Sequence, residues 1–124
     1  RLAENKIFLF LKKNKIDLVC LAGFMRLLSK RFINSFNGKI INIHPSLLPK
    51  YKGLNTHERV INNKEKYSGC TVHYVSYKVD SGKIIMQKKV KIQKKDTAKT
   101  LSKKILKQEH FLYPKALLKI YANL

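Results

Sequence analysis

Apolar and polar positions in the first third of the chain predict a helix, a strand and further short helices. Between residues 2 and 14 the apolar side chains recur at helical spacing, which predicts a first helix. Residues 17–23 form a short, continuous apolar run ending in glycine, typical of a strand buried on both faces of a parallel sheet. Residues 24–36 read as two short helical pieces, and Ser29 is the expected N-cap of the second.

Three further strands are predicted downstream. Lys39–His44 is a second buried strand, and it stops at Pro45 before a loop that runs to residue 53. Residues 69–75 and 84–92 are the third and fourth strands. Because the connection 76–83 contains Ser and Gly, we expect the last two strands to be antiparallel neighbours.

Two helices complete the predicted elements. The first covers residues 56–63 with Thr56 as its cap, and the second covers residues 97–122 with Asp96 as its cap. Pro114 is expected to kink or divide the long helix. Its apolar stripe consists of Ala98, Leu101, Ile105, Leu112, Ala116 and Ile120. Strand–helix–strand alternation followed by a hairpin predicts an α/β fold with a mostly parallel sheet and a C-terminal antiparallel hairpin.

Composition limits the class of protein. A chain of 124 residues with 44% apolar residues is long enough for one domain with a core. Its apolar runs are too short to cross a bilayer, so no membrane partner is expected. Cys20 and Cys70 both lie inside apolar runs and are predicted to be buried thiols of a reducing compartment. The histidines and cysteines show no zinc-binding spacing, and no metal is expected.

Charge is the strongest compositional feature. There are 27 Lys and Arg against 7 Asp and Glu, a formal net charge of +20, which would suit a nucleic-acid-binding module. However, only four of the basic residues are Arg, and the lysines are dispersed along the chain. Since specific phosphate and base recognition favours Arg, we interpret the charge as surface lysine and expect no nucleic-acid partner.

The segment Ile-Asn-Ile-His-Pro-Ser-Leu-Leu-Pro carries the first candidate chemistry. Asn42 and His44 are two residues apart on a predicted strand and therefore share a face. They lie at the carboxyl end of the strand, where open α/β sheets bind their ligands, and Pro45 and Pro49 bracket the loop that follows. A structural Asn with a buried core His is an equally good interpretation of these two residues alone.

Asp80 is the second candidate, although Asp-Ser-Gly is also ordinary turn chemistry. If Asp80 meets His44, the carboxylate stabilises the imidazolium, which can stabilise an oxyanion or donate a proton to a leaving nitrogen. Asn42 would donate an amide N–H to the same oxyanion. Such a trio suits direct acyl transfer between two nitrogens and needs no nucleophilic side chain.

Several other polar residues are weaker candidates. Glu109 falls on the apolar stripe of the last helix, where a carboxylate needs a partner such as an amine. Arg26 stands beside Met25 just after the first strand. His73 alternates with apolar neighbours on a strand and is interpreted as structural, and His57 as a surface or capping residue.

Four segments together resemble the phosphoribosylglycinamide formyltransferase family. They are LAGFMRLLS at 21–29, INIHPSLLPKYKGLNTHE at 41–58, GCTVHYV at 69–75 with VDSG at 79–82, and QEHFLYP at 108–114. The resemblance runs from about residue 17 to the end. It implies a Rossmann-like formyltransferase fold, a cytoplasmic enzyme of purine biosynthesis, and a monomer or homodimer.

The resemblance also implies residue roles. Asn42, His44 and Asp80 would be catalytic, and no metal would take part. The cosubstrate 10-formyltetrahydrofolate would bind to Met25, Arg26, Leu27, Leu28, Asn42, Ser76, Tyr77, Lys78, Val79 and Asp80. The substrate glycinamide ribonucleotide would bind to Leu106, Lys107, Gln108 and Glu109.

The chain also departs from that family. It has no Gly-Ser-Asn phosphate loop after a first strand, and it begins at Arg1 rather than Met. We therefore expect residues 1–124 to be the C-terminal two-thirds of the formyltransferase domain, with the first βαβ block missing. The alternatives are a methionyl-tRNA formyltransferase domain, whose sequence after the SLLP loop differs, and a formyltetrahydrofolate hydrolase, which usually has His where this chain has Pro45.

Overall fold

The structure is a computed structural model that describes residues 2–22 and 28–122. Its elements are α1 (Leu2–Lys13), β1 (Leu18–Ala22), α2 (Lys30–Ser35), β2 (Lys39–His44), α3 (Thr56–Asn62), β3 (Tyr67–Tyr74), β4 (Ile84–Lys91) and α4 (Ala98–Ala122). These elements confirm the predicted alternation. The first of the two helical pieces expected within 24–36 falls mostly outside the described residues. No helix in the described ranges has both the length and the apolar character to cross a membrane.

The four strands form one sheet in the order β1-β2-β3-β4. β1 and β2 are parallel, whereas β2–β3 and β3–β4 are antiparallel pairs. The α/β class and the C-terminal hairpin are therefore confirmed, but the described sheet is mixed rather than mostly parallel. The reason is the path of residues 45–66. This segment stays near the C-terminal end of β2, so that β3 starts there and runs antiparallel to β2.

One face of the sheet packs against the long helix. Side chains of β2 and β3, including Ile41 and Val72, meet the buried residues of α4. Those buried α4 residues are Leu101, Ile105, Leu112, Ala116 and Ile120, which confirms the predicted stripe apart from the half-buried Ala98. Pro114 lies inside α4 and does not divide it. Burial of each large aliphatic side chain stabilises the fold by roughly 1.5–3 kcal/mol.

The opposite face packs against α1 and α2. A second cluster contains Leu11, Leu28, Phe32 and Ile40. The N-terminus of α2 is capped as predicted, because the Ser29 hydroxyl accepts a hydrogen bond from the Phe32 amide at 3.1 Å. Side chains on β2 alternate between the two clusters, so Asn42 and His44 follow Ile40 on the α1/α2 face.

The prediction that β1 is buried on both faces is wrong. None of its five residues is buried, and Cys20 and Ala22 are exposed. The prediction of two buried thiols is correspondingly wrong for Cys20 and confirmed for Cys70. The physical reason is position, since β1 is an edge strand of the sheet that the described residues form.

Two predicted helix caps also shift by one residue. Asn55, in the left-handed region at φ +56°, precedes α3, and Thr56 is its buried first residue. At the start of α4, the Thr97 hydroxyl accepts from the Thr100 amide at 3.2 Å. Asp96 accepts instead from the Gln93 amide and from Lys104.

Candidate active site

The carboxyl end of β2 presents Asn42 and His44 on one face of the sheet. Across the antiparallel pair, Asn42 lies opposite His73 and His44 lies opposite Thr71. His44 is buried, with 6% of its surface exposed. The Asn42 Oδ1 atom is also buried, and none of the described residues gives it a hydrogen bond. A buried amide oxygen without a donor is costly, which indicates a place for an external polar group.

Asp80 reaches this point from the connection between β3 and β4. Its Oδ1 lies 3.4 Å from His44 Nδ1, and the two side chains are 9% and 8% exposed. The predicted proximity of His44 and Asp80 is therefore confirmed. Two backbone features place the carboxylate: Asp80 itself has φ +47°, and Gly82 approaches the Tyr74 carbonyl so closely that a Cβ would collide with it.

The loop after β2 is fastened to β3 and β4 rather than left in solvent. The Thr71 hydroxyl donates to the Ser46 carbonyl at 2.7 Å and accepts from the Leu48 amide at 3.2 Å. The Gln87 side chain donates to the Leu48 carbonyl at 2.8 Å. These contacts fix the start of the loop, so that its later residues can reach back to the histidine.

The far end of the same loop contacts both members of the His–Asp pair. The Tyr51 carbonyl lies 2.8 Å from His44 Nε2, and the Gly53 amide donates to Asp80 Oδ2 at 2.8 Å. A carbonyl can only accept, so His44 Nε2 carries a hydrogen. His44 thus has an acceptor at each ring nitrogen.

Two further histidines lie close to the pair, and sequence reasoning missed their position. His73 is 2% exposed and its Nε2 lies 4.0 Å from Asp80 Oδ1. Burial lowers the pKa of His73. His57 is half-buried, and burial, followed by its proximity to His44, lowers its pKa as well. The signal available in the sequence was the alternation of His73 with Val72 and Tyr74, which places His73 on the other face of the strand from the α4 core. The pairing of β2 with β3 then sets His73 opposite Asn42.

The residues expected to bind the folate differ in their placement. Met25, Arg26 and Leu27 lie outside the described residues. Leu28 is buried in the cluster with α1 and α2. The loop that carries Asp80 exposes Tyr77 and Val79, by 49% and 45%. Its other two members, Ser76 and Lys78, hydrogen-bond each other through the Ser76 hydroxyl.

The residues expected to bind the nucleotide lie on α4. Leu106 and Lys107 are exposed, whereas Gln108 and Glu109 are half-buried. Burial raises the pKa of Glu109. Glu109 lies near Cys70, whose pKa rises to about 12 through burial first and the Glu109 charge second. In the described part of the chain, Glu109 makes no hydrogen bond or ion pair with Asn42, His44 or Asp80.

The arrangement suits charge stabilisation rather than nucleophilic attack. The Tyr51 carbonyl faces Nε2 and the Asp80 carboxylate faces Nδ1, so a doubly protonated ring would have an acceptor beside each N–H. A buried imidazolium beside an Asn amide can stabilise a developing oxyanion. Within residues 2–22 and 28–122, no group of three His, Cys, Asp or Glu side chains could hold a metal ion.

Comparison with known proteins identifies relatives along most of the chain. A family model described as "Formyl transferase" matches residues 1–117. The human trifunctional purine biosynthetic protein adenosine-3 is 48% identical over 114 residues, covering 92% of this chain and 11% of that protein. The phosphoribosylglycinamide formyltransferase of Haemophilus influenzae is 45% identical over 105 residues, covering 85% of this chain and 50% of that protein.

Solved structures agree with this result. The phosphoribosylglycinamide formyltransferase of Bacillus halodurans superposes with a TM-score of 0.89 at 44% identity, covering 94% of this chain and 60% of that one. The Brucella melitensis enzyme gives a TM-score of 0.89 at 50% identity, covering 98% of this chain and 62% of that one. The chain thus spans about half the length of the bacterial curated relative and about 60% of these structures.

Proposed function

The chain belongs to the formyl transferase family, and from that premise we propose that it carries the transfer chemistry of a phosphoribosylglycinamide formyltransferase. The formyl group of 10-formyltetrahydrofolate would pass to the amine of glycinamide ribonucleotide, in purine biosynthesis in the cytoplasm. The observation that carries the proposal is the buried His44–Asp80 pair, 3.4 Å apart, beside Asn42 at the end of β2.

The reaction joins one C–N bond and breaks another. The amine lone pair attacks the formyl carbon, and the carbonyl π electrons move onto its oxygen. The resulting tetrahedral oxyanion lies against the positive imidazole of His44 and the Asn42 amide, which stabilise it more than they stabilise the neutral formyl group. When the oxyanion collapses, the bond to the folate nitrogen breaks; the attacking amine loses one proton and the leaving nitrogen gains one.

Asp80 would act through His44 in this scheme. Its Oδ1 faces the ring at 3.4 Å, while Oδ2 accepts from the Gly53 amide. The hydrogen bond to Oδ2 restrains the carboxylate beside the imidazole, where its negative charge would offset positive charge on the ring as the oxyanion forms. Asp80 is therefore proposed to orient the imidazole and to balance positive charge on it.

The folate would lie along the loop that carries Asp80. Tyr77 and Val79 offer exposed apolar surface on either side of Lys78. Apolar surface beside polar backbone groups fits a flat, partly polar ring system. Met25, Arg26, Leu27 and Leu28 complete the proposed cosubstrate residues.

The nucleotide amine would approach from α4. Glu109 is a half-buried carboxylate whose burial disfavours its charged form, so an ammonium or amine nearby would be a favourable partner. Leu106, Lys107 and Gln108 complete the proposed substrate segment. Residues 1–124 would act as part of one formyltransferase domain, as a monomer or homodimer without metal or nucleic-acid partners.

A transfer assay tests the proposal. The protein, at the full length its gene encodes, is incubated with 10-formyltetrahydrofolate and glycinamide ribonucleotide, and formylated product is measured. We expect activity that His44→Gln abolishes and that His110→Gln, at an exposed position on α4, leaves intact. Formylation of methionyl-tRNA instead, or release of free formate without an amine acceptor, would contradict the proposal.

A further inference from the structure

A three-residue segment holds both members of the His–Asp pair from outside the sheet. The carbonyl of Tyr51 accepts from His44 Nε2 at 2.8 Å, and the amide of Gly53, two residues later, donates to Asp80 Oδ2 at 2.8 Å. A displacement of this segment would therefore move the acceptor of one group and the donor of the other together.

Tyr51 does not hold that position by backbone preference. Its φ is +57°, in the left-handed region that residues with a Cβ avoid unless surrounding contacts impose it. The contacts are made by its own side chain: the phenol donates to Glu65 Oε2 at 2.7 Å and accepts from the Asn63 amide at 3.0 Å. The hydrogen bond to Glu65 is the largest cause of a raised pKa of the Tyr51 phenol.

A second residue of the same region supports the segment from α3. The Arg59 guanidinium donates to the Leu54 carbonyl at 3.0 Å and to the Lys52 carbonyl at 2.5 Å, and it lies 5.6 Å from the centre of the Tyr51 ring. The loop is thus joined at Tyr51 to the residues that follow α3, and just after Tyr51 to α3 itself.

From these contacts we propose that Tyr51 is a positioning residue for His44. Its phenol, anchored to Glu65 and Asn63, keeps its own carbonyl on His44 Nε2. The hydrogen bond from His44 Nε2 to the Tyr51 carbonyl places the proton of the neutral ring on Nε2. When the neutral ring carries its proton at Nε2, the bare Nδ1 faces the Asp80 carboxylate. Nδ1 can donate a hydrogen bond to that carboxylate only if it gains a proton of its own. The Tyr51–Glu65 contact therefore helps to hold His44 in the orientation in which Nε2 carries the hydrogen and Nδ1 faces Asp80.

The direct test is nuclear magnetic resonance of the imidazole N–H groups in the full chain. In the wild type we expect a His44 Nε2–H resonance protected from exchange with water. In Tyr51→Phe, which keeps the ring and removes the hydroxyl, we expect exchange about tenfold faster, corresponding to about 1.4 kcal/mol. Tyr67→Phe is the matched control, because Tyr67 is 44% exposed and lies at the start of β3.

A second variant links the effect to Glu65. Glu65→Gln keeps an oxygen that accepts from the phenol but removes the charge, so a smaller acceleration of exchange is expected. The double variant Tyr51→Phe/Glu65→Gln should be no faster than Tyr51→Phe alone, because both changes interrupt one interaction. If Tyr51→Phe does not fold, Glu65→Gln alone gives the same measurement.

The effect on rate rests on the proposed function. In the transfer assay Tyr51→Phe should lower kcat about tenfold and leave KM within about twofold, since it alters the placement of the His44 imidazole and not a substrate contact. Unchanged His44 exchange in Tyr51→Phe, even with a lower melting temperature, would overturn the positioning role. If the wild type is inactive but the exchange of His44 Nε2–H is slow in the wild type and faster in Tyr51→Phe, the proposed function is refuted and the positioning role stands.

Discussion

Replacing Asp80 with Asn removes one negative charge from the candidate site and little else. Asn adopts the left-handed backbone conformation that Asp80 has at φ +47° more readily than most residues do. Its amide oxygen can still accept from the Gly53 amide, which now donates to Asp80 Oδ2 at 2.8 Å. The variant therefore isolates the charge opposite His44 from the packing and hydrogen bonding of the loop.

The size of the effect follows from the geometry. Unit charges 3.4 Å apart attract by about 5 kcal/mol at an effective dielectric constant of about 20. Part of that energy offsets the desolvation of two side chains that are less than a tenth exposed. We expect about 3–4 kcal/mol to be lost from the imidazolium-stabilised transition state, which is a fall in kcat of roughly 10²–10³-fold.

The assay is steady-state formyl transfer to glycinamide ribonucleotide, with the melting temperature measured alongside. KM should change by less than about threefold, because the charge acts on the transition state through His44. Ser81→Ala is the matched control in the same loop; it removes a hydroxyl that contacts Lys52 and the Val79 carbonyl. A kcat for Asp80→Asn within about threefold of the wild type would refute the reasoning.

Acid should destabilise the fold through His57 and His73, because burial lowers the pKa of each below its ordinary value. The unfolded chain then binds more protons than the native one, so the free energy of unfolding should fall as the pH drops below about 6.5. A free energy of urea unfolding that does not change between pH 8 and pH 5 would contradict this. Alkylation of the 124-residue chain at neutral pH should modify Cys20, which is exposed, and spare Cys70, which is buried with a pKa of about 12. Modification of both thiols in the folded state, read by mass spectrometry, would show that Cys70 is accessible.

Local pattern was sufficient for most of the elements. The strand Lys39–His44 was predicted at its observed bounds, because a proline ends it and its alternation is set by burial on two faces. The buried stripe of α4 followed from helical periodicity. The strand β1 was also predicted, but the predictions of its burial and of the caps of α3 and α4 were wrong, because they depend on which neighbours cover a strand edge and on how the chain enters a helix.

The sequence by itself determined which residues could do chemistry: Asn42 and His44 share a face because strand side chains alternate. It left open whether Asp80, 36 positions beyond His44, would meet that face. Only the tertiary structure decided this. The antiparallel return of β3 and the close passage of Gly82 carry Asp80 to within 3.4 Å of the imidazole. The Tyr51 carbonyl on His44 Nε2 was equally unpredictable, since a backbone contact made by a loop depends on the path of the chain and not on residue type.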